Sequence, residues 1–220
     1  MNRGDSIIEQ VFDRSEICRF IDPLGDLAGY RTRAGARHLM SLPAVRALAT
    51  DVRLLGIARE WVGETALPFR ATLFDKSPDS NWLIVWHQDT ALPLASRRDA
   101  PGWGPWSTKA GVLYAHAPAK VLERVIALRL SLDDSGPDNG PLRVLPDTHE
   151  MGVLTDEAIA ELSSRLQCID CCVGAGGVVV MRPLTVHASS KTVSDRPRRV
   201  LHIEYIDSGD VGEGLRLATV

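Results

Sequence analysis

The sequence predicts one mainly β domain, a double-stranded β-helix or jelly roll of the cupin type, with helices packed outside one of its sheets. Three observations carry this. The chain has 220 residues, 45% hydrophobic and 24% charged, enough for one sizeable core and too few for two comfortable domains. Its first part carries apolar residues at helical spacing. From Leu67 onward it changes to short runs rich in branched and aromatic residues, separated by Pro, Gly, Asp and Asn clusters. The expected division within the single domain 1–220 is a helical cover over about 1–62 and a β core over about 65–206.

Taken in order, Ile7, Ile8, Val11, Phe12 and Ile17 predict a helix over Asp5 to Phe20. A second helix is expected from Ser41, as cap, through Pro43 in the first turn to about Trp61. Strands are expected near 68–75, 82–89, 125–133, 142–145, 168–173, 177–182, 184–189 and 198–206, a number that suits a two-sheet barrel. Thr155, Asp156 and Glu157 mark the start of a short helix to about Leu166. The stretch from Leu94 to Ala119 is too long for an ordinary connection and too aromatic for a linker, which predicts an ordered lid. Gly174 to Gly177 precedes a strand and reads as a β-turn, since a dinucleotide loop needs a strand before it and a helix after it.

A net charge of −3 and a pI near 6.1 give no long-range attraction to nucleic acid or anionic lipid. The sequence offers neither a membrane-length apolar run nor a signal-peptide core at its start, so a cytoplasmic location is expected. Cys18, Cys168, Cys171 and Cys172 are expected as thiols, mostly buried in strands, rather than as disulfides or a zinc site.

The chemistry concentrates in three segments. In Trp86-His87-Gln88-Asp89-Thr90, residues 87 and 89 of a strand point to one side, so an imidazole and a carboxylate can share one metal. In Val178 to Ser189 a buried strand turns at Pro183 and delivers His187, which completes two histidines and one carboxylate, the set that holds iron(II) on one face and leaves positions open. In Ser194 to Tyr205 a basic turn enters an alternating strand, where one arginine can return beside the metal and grip a carboxylate through two parallel hydrogen bonds. Arg196 and Arg199 read as parts of a solvated turn.

Together with Asn139-Gly140-Pro141-Leu142-Arg143-Val144-Leu145-Pro146-Asp147-Thr148-His149, these segments resemble the phytanoyl-CoA dioxygenase family over roughly residues 65–206. The middle motif departs from the family at Asp147 and Thr148, where glycine and serine are usual. The resemblance implies Fe(II) held by His87, Asp89 and His187, with 2-oxoglutarate and O2 as co-substrates. It implies Arg198, eleven residues after His187, as the partner of the far carboxylate of 2-oxoglutarate, and Ser189 as a helper. Asp89 stands where related halogenases carry a small residue, so hydroxylation or a related oxidation of a small molecule is implied, with release of succinate and CO2. The chain is shorter than many members, which implies a trimmed pocket and leaves open whether the substrate carries coenzyme A.

Arg97, Arg98, Trp103, Trp106 and Lys109 are candidate substrate contacts from the expected lid, and His202 is another because it shares a strand face with Arg198. His149 belongs to the family turn and is expected to support structure; His38 and His116 sit in no constellation. Two other readings stay open: a jelly-roll metal-binding or regulatory protein without turnover, and a zinc hydrolase of the same barrel shape, which needs an acid-base residue and no carboxylate-gripping arginine.

Overall fold

A computed structural model describes residues 4–22, 27, 30–32, 35–76 and 80–220. The first elements are β1 (Asp5–Ile8), α1 (Arg14–Ile21), β2 (Arg31–Thr32), β3 (Gly35–Arg37), α2 (Pro43–Ala49) and α3 (Val52–Val62). Then follow β4 (Leu67–Lys76), β5 (Ile84–His87), β6 (Ala91–Leu94), β7 (Trp106–Lys109), β8 (Val112–His116), α4 (Ala119–Leu122) and β9 (Val125–Ser131). The chain ends through β10 (Leu142–Val144), α5 (Asp156–Arg165), β11 (Ile169–Cys171), β12 (Val178–Met181), β13 (His187–Ser189) and β14 (Arg198–Ile206).

A seven-stranded sheet in the order β1-β12-β9-β14-β4-β3-β2 and a four-stranded sheet in the order β11-β10-β13-β5 form the jelly roll, with β6-β8-β7 as a small third sheet. All paired strands are antiparallel. The period of two along each strand splits the large sheet into two unlike faces. Ala71, Leu73, Ile126, Leu128, Leu130, Leu201, Ile203 and Tyr205 point outward and pack with Leu39, Val45, Leu48, Leu54 and Ala58 of the helical layer. The alternate residues, among them Arg70, Lys76, Arg129, Arg198, His202 and Glu204, point into the barrel and are largely buried there. Register sets them in facing pairs: Arg198 with Lys76, His202 with Arg129, and Glu204 with Arg70.

The N-terminal part is not purely a helical cover. Where one helix was expected over Asp5 to Phe20, residues 5–8 form β1 and pair with Met181 to Val178, extending the large sheet. The helix starts only after Asp13, whose carboxylate accepts from the Glu16 N–H while Glu16 caps the Asp13 N–H in return. The Ile7-Ile8 pair suits a strand edge as well as a helix face, and the open edge of β12 decides it. The second expected helix breaks in two at Thr50 and Asp51. The Thr50 hydroxyl bonds back to the Arg46 carbonyl (2.9 Å) and Asp51 caps α3 through the Arg53 N–H (2.9 Å). Ser41 does not cap; it closes a 3₁₀ turn, and Leu42 precedes Pro43 at the first helical position.

The expected lid over 94–119 is largely a β-hairpin. Trp106 to Lys109 pairs with Val112 to Ala115, and Ala110 and Gly111 make the two-residue turn with φ of 48° and 81°. Positive φ at both central residues matches the right-handed twist of a hairpin, and alanine at the first of them hides the turn from a search for Asn-Gly. The β core also extends past 206: the Val220 N–H donates to the Phe69 carbonyl (2.8 Å), and Leu217 bridges to Leu94. The four cysteines are free; Cys171 is buried, Cys168 and Cys172 partly so, and Cys18 exposed. Among the described residues no helix is long and apolar enough to cross a membrane.

Candidate active site

β5 and β13 run side by side with His87 directly opposite His187. Their ring centroids lie 4.2 Å apart. Asp89 follows β5 and faces both: His87 Nε2 is 3.7 Å from Asp89 Oδ1, and His187 Nε2 is 3.5 Å from Asp89 Oδ2. Gln88, between His87 and Asp89, points away and fastens the strand end. Its amide nitrogen donates to the carbonyls of Leu184 (2.7 Å) and Gly152 (2.9 Å), and its oxygen accepts from the Leu154 N–H (2.8 Å). The Asp89 N–H donates to the Pro183 carbonyl (2.9 Å), tying the first motif to the turn that carries the second. That turn is held from the far end of the chain, because the Gly4 carbonyl accepts from the Arg182 N–H (2.8 Å) and from the Thr185 hydroxyl (3.0 Å).

Hydrogen bonding selects the tautomer. His87 Nδ1 lies 2.8 Å from the Val85 carbonyl, and His187 Nδ1 lies 2.8 Å from the Thr185 carbonyl. A carbonyl only accepts, so each Nδ1 carries the proton and each Nε2 turns a lone pair to the centre. Asp89 adds carboxylate oxygens to the same point. Three acceptors converge with no proton between them, which is the donor set of a metal ion. Burial pushes His187 down to about 4 against the opposing pull of Asp89, which keeps its imidazole neutral. Burial alone would raise Asp89, but His187, His87, His202 and Arg70 override it and hold the carboxyl well below its usual range.

A second grouping, Asp89 with His202 and Glu204, has three ligand-type atoms equally close together. Its chemistry is different. Arg129 Nη1 lies 3.0 Å from His202 Nδ1, and an arginine only donates, so a neutral His202 carries its proton on Nε2, 3.6 Å from Glu204. Glu204 is also in bidentate contact with Arg70. This grouping is satisfied as a proton-linked brace beside Asp89.

Behind Ser189 lies a group of buried cations. Lys76 and Arg198 are 0% and 2% exposed and Arg129 is 5% exposed, and among the described residues none of the three forms an ion pair. Ser189 Oγ lies 2.8 Å from Lys76 Nζ and 3.4 Å from Arg198 Nη2, and it donates to the Gly140 carbonyl (2.9 Å). Arg198 Nε reaches the Asn139 carbonyl (3.2 Å), and Lys76 also donates to the Ser190 carbonyl. Gly140, at φ +69°, has no room for a side chain: a Cβ there would meet the Ser190 carbonyl oxygen at 2.4 Å. Burial lowers Lys76 to about 7, aided by the charges of Arg198 and Arg129; it lowers Arg198 to about 9 and Arg129 to about 10. Unpaired buried cations are costly, so an anion belongs here. A cavity of about 430 Å³ joins Arg129 and Ser189 to His87, Asp89 and His187. Arg198 lies deeper, in a small adjoining void that it shares with Arg129.

The departures from the family turn are explained locally. Asp147 takes φ +62°, where glycine would be easiest. Thr148 keeps the needed hydroxyl: it accepts from the Val186 N–H (2.9 Å), one residue before His187, and donates to the Leu145 carbonyl (2.7 Å). His149 is buried beside Gly4 and faces a separate cavity with Arg182 and Glu123.

Of the expected substrate contacts, His202 lines a cavity of about 280 Å³ in front of His87 and Asp89. Arg97, Arg98, Trp103 and Trp106 do not line it. Arg97 stacks over Trp106, Arg98 approaches Gly214, and both tryptophans pack against a second apolar cluster, because the hairpin folds that part of the segment onto the barrel end. Lys109, at the hairpin tip, does reach the cavity, as do Arg37, Arg70, Tyr114 and His116. His116 bonds to Thr90 (2.7 Å) and His38 to the Tyr114 hydroxyl (2.9 Å). Arg196 and Arg199 are paired with Asp138 and Asp133 rather than simply solvated. No motif in the sequence marks Lys76 or Arg129, although Arg129 as a lone cation within the apolar run Val125 to Leu132 is a usable signal.

A jelly roll that presents two imidazoles and a carboxylate beside buried cations defines a class, the two-histidine, one-carboxylate metalloproteins. Residues 23–200 match the family profile Phytanoyl-CoA dioxygenase (PhyH), and the chain belongs to that family. No curated protein sequence matches it. Among solved structures it is similar to EvdMO1 (22% identity, TM-score 0.69), covering 93% of this chain and 47% of that one. It is similar to EctD from S. alaskensis with bound Fe (19%, 0.66), covering 93% and 73%. It is also similar to HygX from Streptomyces hygroscopicus with nickel and 2-oxoglutarate bound (19%, 0.65), covering 93% and 83%. The chain thus spans about half the length of the EvdMO1 chain.

Proposed function

We propose that the protein is an Fe(II)- and 2-oxoglutarate-dependent oxygenase that hydroxylates a small molecule, with release of succinate and CO2. The observation that carries this is the conjunction of three acceptor groups converging without a proton and a buried cation cluster without a carboxylate partner, with one cavity running from the first to Arg129 and Ser189 at the edge of the second. A metal dication satisfies the first and a dicarboxylate satisfies the second. Family membership, and the iron of EctD and the 2-oxoglutarate of HygX, support the same pair.

His87, Asp89 and His187 would hold the iron on one face, with the Val85 and Thr185 carbonyls fixing both rings. Arg198, Lys76 and the Ser189 hydroxyl would hold the far carboxylate of 2-oxoglutarate, and Arg129 would add charge nearer the metal. When bound, iron and 2-oxoglutarate supply the oxidising power for attack on a substrate C–H bond. The chain contributes orientation and shelter: Phe74 and Trp82 wall this cavity, while Arg70 and His202, braced through Glu204, line the adjoining cavity in front of His87 and Asp89.

The test is an anaerobic titration of metal-free protein with Fe(II) and 2-oxoglutarate, watching for the weak visible charge-transfer band of a chelated keto acid. The band is expected, and is expected to be lost in His187→Ala. A folded, metal-loaded protein without the band would favour metal binding without turnover.

A further inference from the structure

We propose that the cavity in front of His87 and Asp89 takes a small acid as its substrate, whose carboxylate or phosphate group is held between Arg37 and Lys109. The assignment of that acid as substrate rests on the oxygenase reading; the anion-binding claim stands on the charges alone. Three cations come to this wall from separate elements: Arg37 from β3, Arg70 from β4 and Lys109 from the end of β7. Arg70 is neutralised by Glu204. Arg37 and Lys109 form no ion pair among the described residues, and Lys109 lies over the ring face of Tyr114, 5.0 Å from its centroid.

The nearby acids are already engaged. Asp89 faces the two histidines, and Glu204 faces Arg70 and His202. The wall therefore carries net positive charge in a partly desolvated recess. Burial, and then the charges of Arg37 and Arg70, make it harder for Lys109 to keep its proton. Like charges gathered in this way are relieved by a bound anion. Arginine offers the carboxylate or phosphate a planar fork, and lysine adds a point charge on the same wall. Size agrees with a small ligand: about 280 Å³ lies at the lower edge of the roughly 300–1,000 Å³ usual for ligand sites. Thr90 and His116, hydrogen-bonded to each other at the cavity wall, supply polar contacts for the rest of the molecule.

The experiment titrates matched probes into the intact protein, followed by protein-observed NMR: small aliphatic and aromatic carboxylic acids against their primary amides, and phosphate monoesters against their parent alcohols. At least one charged series is expected to bind about tenfold more tightly than its neutral partners, and that series identifies the oxyanion. Arg37→Gln and Lys109→Met should each remove most of the preference, while Arg198→Gln should leave it. The proposal is overturned if no charged probe outbinds its neutral partner, if the preference survives both substitutions, or if it disappears only in Arg198→Gln, which would place the anion in the deeper cluster. The keto-acid band on the same protein separates the two readings. A missing band with the preference intact would sink the oxygenase assignment and leave the anion site; the reverse result would sink the anion site alone.

Discussion

The two faces of the seven-stranded sheet are made by the same strands and obey opposite rules. On the outer face Leu128, Leu130, Leu201, Ile203 and Tyr205 are sealed by helices, and the one polar atom at the Tyr205 tip donates to the Ala49 carbonyl (2.9 Å). On the inner face, one residue along, Arg129, Arg198, His202 and Glu204 are equally buried yet charged or polar. A single-residue step in the pleat thus separates the part of the sheet that stabilises from the part that binds. The inner face keeps cations that cost stability until their partners arrive, and the outer face offsets that cost.

The comparison can be broken by substitution. The largest effect is expected for Asp89→Ala, which should lower iron affinity at least about 100-fold and abolish turnover while the far-UV circular dichroism stays native. An unfolded variant would show that the inner face also carries the fold. Leu128→Ala, across the sheet, should cost about 2–5 kcal/mol of stability in denaturant melts. Its folded fraction should still bind iron with wild-type affinity, and a changed affinity would deny the separation of the two faces.

Smaller effects sharpen the contrast. Arg198→Lys should raise the 2-oxoglutarate requirement about tenfold, because the charge remains and the two-pronged geometry is lost; Arg198→Ala should raise it further. Equal kinetics for all three proteins would remove Arg198 from the site. The smallest effect concerns Lys76. Its folded value near 7 lies below the roughly 10.4 of an unfolded lysine, so the unfolded chain binds more protons between those values. Stability of the metal-free protein should therefore rise as pH increases from about 7 to about 10, and the burial cost should be fully present below 7. Lys76→Met should raise the melting temperature at pH 7 and flatten that slope, and an unchanged slope would argue against a buried charged lysine.

Much of this is legible in the sequence alone. His87, Asp89 and His187 stood out because strand alternation and a proline turn are local signals, and Arg198 followed from its distance to His187 in the family pattern. Eight of the strands from Leu67 onward are legible for the same reason, whereas β6 at Ala91–Leu94 carries no such signal. The hairpin at Ala110-Gly111 is not legible, since alanine rarely takes positive φ and so gives no turn signal. Nor is the fate of Ile7 and Ile8, which depends on an open strand edge far along the chain. Arg37, Arg70 and Lys109 lie on three elements, and only the sheet order brings them to one wall. Arg97 and Trp106 were misplaced because composition marks a segment as special without saying which of its residues face inward.

The grip of Gly4 on the 182–185 turn joins the start of the chain to His187 near its end. His187 is aimed by a turn whose anchor is a backbone carbonyl some 180 residues earlier, so its orientation toward His87 and Asp89 draws on both ends of this span. An isolated stretch from 65 to 206 holds His87, Asp89 and His187 and still lacks the clamp that points the last of them. Shortening the protein from its first residues through Ile8 is, in engineering terms, an alteration of the turn that aims His187.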